Sequence, residues 1–231
     1  VVYTHFGPVI YDDNWRGLRG GKPRANQSTY YAVRWKAHDA SNDLLPFLRL
    51  MKAKNYDDYR DAIASFSCPG QNLIFASKSG DIAITQQGTF PAKWKYQGEF
   101  LMDGKDSTYE WQGMIPAEQM LKKKNPKRGF VSSANQLPTD PIGYPYYLGG
   151  DYIYERGYRI NSILRGLHKA TVQDMMNLQN DNFNTRAHQI LPLIFETLDS
   201  MSLSGEEKEW LKVLKNWDKL NDAESEGAII Y

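Results

Sequence analysis

Asn72-Leu73-Ile74-Phe75-Ala76-Ser77, then Lys78-Ser79-Gly80-Asp81, then Ile82-Ala83-Ile84-Thr85 is the stretch whose reading decides the fold. Two short runs of branched, aromatic and small apolar side chains flank residues that are small or polar. That is the composition of a tight reversal, so the stretch predicts a β-hairpin. Immediately upstream the periodicity changes. Tyr59, Ile63 and Phe66 fall on one helix face in a segment opened by Asn55 and Asp57, and Leu44, Leu45, Phe47, Leu48 and Met51 form another apolar stripe. A helical pair near residues 41–66 is therefore expected. Asp57 and Asp58 sit in a first helical turn, where the helix dipole accounts for them without any catalytic role. Earlier still, Val1 to His5 and Gly7-Pro8-Val9-Ile10-Tyr11 read as strand, turn and strand, and Thr29-Tyr30-Tyr31-Ala32-Val33-Arg34-Trp35 reads as a further strand.

Downstream of the hairpin, residues 88–128 are broken by Pro91, Gly98, Gly104, Gly113, Pro116 and Pro126 and read as loops. Gly129-Phe130-Val131-Ser132-Ser133 predicts a short strand leading to Asn135. After Gly149-Gly150 the pattern turns helical. Ile160, Ile163, Leu164 and Leu167 share a face. Thr171 with Asp174 marks a helix start, and Ala187, Ile190, Leu191, Ile194 and Leu198 form another helix with Pro192 as a kink or boundary. Ser204 and Glu207 have capping-box spacing ahead of Trp210, Leu211, Leu214 and Trp217. Residues 1–135 are thus mostly strands and loops and residues 150–217 mostly helices, an α+β order.

Composition narrows the function classes. The chain has 231 residues, 41% hydrophobic, enough for a sizeable core. Net charge is +1 and no basic run exceeds Lys122-Lys123-Lys124, so no nucleic-acid partner is expected. No apolar stretch is long enough to span a membrane. The single cysteine, Cys68, excludes an internal disulfide and any multi-cysteine metal site. Aromatic residues reach 13%, which suits both core packing and a wall that binds an amphipathic ligand.

Few residues invite chemistry. Cys68 lies between a helix end and Pro69-Gly70, where a buried small residue is the better reading than a catalytic thiol. His5, His38, His168 and His188 have no metal-ligand spacing. Neither a Gly-x-Ser-x-Gly elbow nor a phosphate-cradling glycine loop occurs. Ser132-Ser133-Ala134-Asn135-Gln136 offers a side-chain amide donor at Asn135, which can stabilise the oxyanion formed when an amide carbonyl is attacked. Asn135 can equally form an Asx-turn within its own loop. Arg156 and Arg159, three apart near a helix start, supply guanidinium forks suited to a substrate carboxylate or carbonyl, or to surface ion pairs.

With those residues in view, the chain resembles the penicillin amidase (penicillin acylase) family of N-terminal nucleophile hydrolases. Thr4-His5-Phe6-Gly7-Pro8-Val9 is similar to the family's Thr-x-His-Gly-Pro-Val, and Tyr31-Ala32-Val33-Arg34-Trp35, followed by Asp39, to its Ala-Leu-Arg-Trp strand. Pro69-Gly70-Gln71-Asn72-Leu73-Ile74-Phe75-Ala76, Gly80-Asp81-Ile82 and Gly88-x-x-Pro91 follow in family order. So do Trp111-Gln112-Gly113-Met114-Ile115-Pro116, Asn125-Pro126, Gly129-Phe130, Ala134-Asn135, Arg156-x-x-Arg159-Ile160 and Gln179-x-Asp181. Gln136 departs from the family's second Asn.

The resemblance implies an αββα-type N-terminal nucleophile fold, of which residues 1–231 would form an internal segment of the large subunit. It implies a precursor that cuts itself and exposes an N-terminal Ser, whose free α-amine serves as base in attack on an amide. By the same resemblance Asn135 is an oxyanion donor and Arg156 positions both the substrate and the Asn-containing site. The nucleophile is expected upstream of Val1, so the isolated chain is expected to be inactive. Its partners would be the small subunit, the N-terminal part of the large subunit and a small-molecule acyl amide. No cofactor is required for the chemistry. Several family members bind a structural calcium, so the resemblance leaves room for one in the full enzyme; its ligands are not identifiable on this chain, and the loop around Glu99 diverges too far from the family pattern for one to be placed there. A periplasmic or secreted location is implied by the resemblance alone. The alternative is a stand-alone, non-catalytic binding module with an aromatic-rich ligand surface.

Overall fold

The hairpin forms in the computed structural model, which describes residues 1–11 and 30–231. Strands β4 (Gln71–Ala76) and β5 (Ile82–Gln87) pair antiparallel without a break from Gln71↔Gln87 to Ala76↔Ile82. The Ser77 and Gly80 amides donate to the Asp81 and Ser77 carbonyls at 2.9 and 3.0 Å. Gly80 has φ +92° with open space around its Cα, so glycine is required there by the backbone and not by crowding.

The helical pair is α1 (Leu45–Leu50) and α2 (Tyr56–Ile63). Asn55 caps α2, its side chain accepting from the Asp58 amide at 2.9 Å. Along β5, Ala83, Thr85 and Gln87 are buried while Ile82, Ile84 and Gln86, which alternate with them, are half-buried. Tyr59, Ala62 and Ile63 of α2, with Phe66 just beyond it, are also buried. Buried polar groups must find partners, and these stitch helix to sheet. Arg60 donates to Thr85 Oγ1 at 3.3 Å, Gln87 to the Phe66 carbonyl at 3.3 Å, and Tyr59 Oη to the Leu73 carbonyl at 2.9 Å.

Two features correct the sequence reading. Lys122–Lys124, placed among loops, forms a third strand, β6, pairing Ala83↔Lys124 and Thr85↔Lys122. Lysines have low strand propensity, so the pairing comes from the non-local neighbour. Asn125 locks it: its amide donates to the Ile82 carbonyl, its Oδ1 accepts from the Ile82 amide, both at 2.9 Å, and its Nδ2 reaches Asp81 at 2.6 Å. Conversely, Gly129 to Ser133 is not a strand. Extended residues become a strand only within a hydrogen-bonded ladder, and no strand is formed over these residues.

The N-terminal residues form a second antiparallel sheet in the order β1 (Tyr3–Thr4), β2 (Gly7–Tyr11), β3 (Tyr31–Ala32). The strand expected over 29–35 is shorter than its sequence pattern, and Thr29 lies outside the described residues. Beyond β3 a short 3-10 turn, Lys36–His38, ends at Asp39. Arg34 at 2.9 Å and Lys36 at 3.0 Å both grip the Asp39 carboxylate. Arg34 also lies over the Trp111 ring at 4.3 Å.

The chain divides into two compact units, residues 1–131 with 138–151, and residues 132–137 with 152–231. The second is helical: α3 (Glu155–Gly166), α4 (Val172–Gln179), α5 (Thr185–Leu198), α6 (Gly205–Asn216) and α7 (Glu226–Ile230). Both expected helix starts are full capping boxes, Thr171 with Asp174 and Ser204 with Glu207. Pro192 lies inside α5 without ending it. Ala187, Leu191 and Trp217 form the buried centre of this unit, with Phe195, Leu214 and Ala228 packed around it. Gly227 is required there, since a Cβ would lie 2.3 Å from the Trp217 ring.

The hydrogen bonds from Arg34 and Lys36 hold the Asp39 carboxyl at about 2, below its ordinary 3.8. A depressed folded-state value stabilises the fold above the unfolded value, and that contribution disappears as pH falls through the folded one. Urea denaturation between pH 7 and 2 should therefore show Asp39→Asn flattening the stability loss between about pH 4 and 2. An unchanged slope across that window would show that the ion pairs do not form in solution.

Candidate active site

Asn135 and Arg156, the two candidate catalytic residues, meet in the helical unit. Asn135 has φ +60°, a left-handed conformation that Asn tolerates better than most side chains. Its carbonyl accepts from the Ile153 amide at 3.2 Å, which ties the loop to the entry of α3. Arg156, in the first turn of α3, donates through Nη2 to Asn135 Oδ1. Both residues are exposed.

This contact has an electrostatic consequence. A guanidinium carries only donors, so it selects the oxygen end of the carboxamide and fixes which way the amide faces. Asn135 Nδ2 is then left as a donor, with no acceptor among the described residues. A fixed, unspent N–H donor is what stabilisation of a developing oxyanion requires.

Gln136, which differs from the family's Asn, braces the same loop. Its Oε1 accepts from the Ala134 amide at 2.7 Å, and its Nε2 donates to the Ser132 carbonyl at 3.4 Å. It packs against Gly157 of α3, where an added Cβ would lie 3.1 Å from Gln136 Oε1. Nothing in the local sequence announces Gln136 and Gly157 as partners; only the glycine in a helix's first turn hints at a close approach.

Arg159 does not join Arg156 in an open fork. Its guanidinium is engaged by Asp181, with Nη2 at 2.6 Å from Oδ2, which leaves Arg156 alone beside Asn135. The remaining chemical candidates stay dispersed. Cys68 is half-buried, and its amide donates to Asp43 at 3.2 Å. His5 lies 3.8 Å from Glu110, and His38 stacks edge-on against Trp35. Glu99 accepts from Tyr147 Oη at 2.5 Å and from the Gly150 amide at 3.4 Å, and the bond to Glu99 pushes the Tyr147 hydroxyl up to about 12. Among the described residues no group of three or more His, Cys, Asp or Glu side chains is placed to hold a metal ion. No described helix is long and apolar enough to cross a membrane. The other unit contains a cavity of about 750 Å³ whose walls include Phe6, Tyr31, Arg34, Phe100, Tyr109 and Trp111.

The family profile described as penicillin amidase matches residues 1–231, the whole chain. The chain belongs to the penicillin amidase family. Within it, the chain is 22% identical to penicillin G acylase of Escherichia coli over 223 residues, covering 92% of this chain and 26% of that protein. It is 26% identical to penicillin acylase 2 proenzyme of a Pseudomonas strain, covering 100% of this chain and 28% of that protein. Acyl-homoserine lactone acylase QuiP of Pseudomonas syringae pv. syringae is 31% identical over 145 residues, 62% of this chain and 17% of that protein. The chain thus spans about a quarter, or less, of the length of these penicillin amidase relatives. Its fold is similar to that of the thermostable penicillin G acylase from Alcaligenes faecalis, with a TM-score of 0.68 at 21% identity, covering 94% of this chain and 38% of that one.

The packing of Gln136 on Gly157 gives a test of the penicillin-amidase loop. Alanine in place of a helical glycine ordinarily stabilises by about 0.5–1 kcal/mol. Here the methyl group would crowd Gln136, and overpacking costs about 1–3 kcal/mol. Gly157→Ala should therefore lower stability by about 1 kcal/mol in urea denaturation, with a gain in stability contradicting the contact.

Proposed function

We propose that this chain is part of an enzyme that hydrolyses N-acyl amides, such as a β-lactam side chain or an acyl-homoserine lactone. The observation that carries the reading is the Arg156–Asn135 contact, which leaves the Asn135 Nδ2 donor fixed and unspent. The penicillin acylases and acyl-homoserine lactone acylases to which the chain is similar support the substrate class.

In the proposed reaction an N-terminal Ser, supplied by a segment of the precursor outside these residues, attacks the acyl carbonyl while its α-amine takes the hydroxyl proton. Asn135 Nδ2 donates to the oxygen as it becomes negative, and Arg156 keeps the carboxamide turned for that task. Collapse of the tetrahedral adduct expels the amine, which takes up the proton. Water then cleaves the acyl-enzyme. Side chains, one amine and water suffice, without a cofactor. The partners under this reading are the small subunit and the N-terminal part of the large subunit. The aromatic-walled cavity near Trp111 supports a second reading, a non-catalytic module binding an amphipathic ligand.

In the full-length protein Asn135→Ala should leave folding intact and lower kcat on a chromogenic acyl amide by about 10²–10³-fold, the usual effect of one lost oxyanion donor. A loss under about tenfold, or about 1.4 kcal/mol of barrier, would reduce Asn135 to a turn residue. The 231-residue chain alone should show no turnover; activity that survived Cys68→Ala would place the nucleophile inside it.

A further inference from the structure

The Arg-x-x-Arg and Gln-x-Asp segments contain one contact that the proposed reaction does not use. Arg159 Nε donates to both oxygens of Asp181 at 2.9 and 3.2 Å, and Nη2 donates to Oδ2 at 2.6 Å. The flat face of the guanidinium lies over the Phe183 ring at 4.1 Å. Asp181 also accepts from the Phe183 amide at 3.4 Å, which curls the chain between α4 and α5 around the arginine. The side chains retain 30% and 16% exposure, so the pair is shielded far better than a rim ion pair. By contrast, the neighbouring bridge from Arg186 to Glu155 at 2.8 Å leaves its arginine 67% exposed.

Arg159 stands less than one helical turn beyond Arg156. Two-pronged binding with a stacked face fixes a guanidinium in orientation as well as distance. It therefore fixes the rotation of α3 about its own axis, on which the aim of Arg156 depends. A rotation of about 20° would carry a group roughly 6 Å from the axis by about 2 Å, enough to part a hydrogen bond.

We propose that Arg159 and Asp181 are positioning residues for the active site: their ion pair sets the rotation of α3, so that Arg156 meets Asn135 Oδ1 and Nδ2 stays turned outward. Neither side chain is assigned contact with substrate. The inference rests on the oxyanion role given to Asn135 above, and its test separates the two.

In the full-length protein, Asp181→Asn should lower kcat on a chromogenic acyl amide at least tenfold while KM changes less than threefold. The Ile153 amide, bonded to the Asn135 carbonyl, should exchange hydrogen at least tenfold faster, with the β4–β5 hairpin unaffected. The double variant Asn135→Ala/Asp181→Asn should lose no more kcat than Asn135→Ala alone, because Asp181 acts through Asn135. If Asp181→Asn does not fold, Arg159→Lys, which keeps the charge and loses the fork, should show the same changes at reduced size. A folded variant with kcat within twofold and unchanged Ile153 exchange overturns the proposal, and so do losses that multiply in the double variant. Should Asn135→Ala itself leave kcat intact, the oxyanion reading fails, while Ile153 exchange still reports whether the ion pair holds the loop.

Discussion

An arginine can orient an amide because it has donors and no acceptor, and much of the helical unit is arranged so that Arg156 can do this. The carboxamide of Asn135 is symmetric in shape and free to flip; only the chemistry of its partner breaks the symmetry. For that partner to act, α3 must present Arg156 in one direction. The loop must also hold Asn135 in a left-handed conformation that brings its side chain toward α3. The first condition draws in Glu155 with Arg186 and Arg159 with Asp181. The second draws in Gln136 from within the loop and the Ile153 amide from the helix entry. Gly157 belongs to both, since its missing side chain lets the loop lie against the helix.

The same economy of polar contacts appears in the sheet-bearing unit. The buried positions of β5 include Thr85 and Gln87, which a purely apolar core would not need. Each is matched by α2 or by the residues just after it, so the helix is fixed in register and not merely pressed against a greasy surface. Apolar contact alone is non-directional; a buried glutamine that must reach one carbonyl is not. Asn125 extends this logic to the strand edge, where its backbone amide and its side-chain oxygen together complete a ladder-like pair with Ile82.

What the sequence made legible was local. Asn55, Thr171 with Asp174, and Ser204 with Glu207 act within one helical turn, and their spacing alone declares them. The hairpin is similarly contained within Gln71 to Gln87. β6 was hidden, because three lysines become a strand only through β5, about forty residues back along the chain, with Asn125 beside them closing the pair. The run from Gly129 shows the converse: its residues suit a strand, but composition alone does not make a ladder. At the site, Asn135 could be singled out as an amide donor and Arg156 as a fork, but two readings of each survived. Distances decide between a shared arginine pair and a divided one, and no spacing rule anticipates that Asp181 takes Arg159 while Asn135 takes Arg156.

The lysine strand has a bearing on solubility. An edge strand exposes a row of unsatisfied amides and carbonyls, and a flat apolar edge would recruit the same edge of a second molecule. Lys122, Lys123 and Lys124 are all exposed, and Lys124 is drawn over the Tyr56 ring at 4.5 Å. Two such edges brought together would set Lys122 and Lys123 against their counterparts, while Lys124 is held by Asp81 at 3.2 Å. The strand that was hardest to foresee thereby disfavours pairing of this edge of the sheet with a copy of itself.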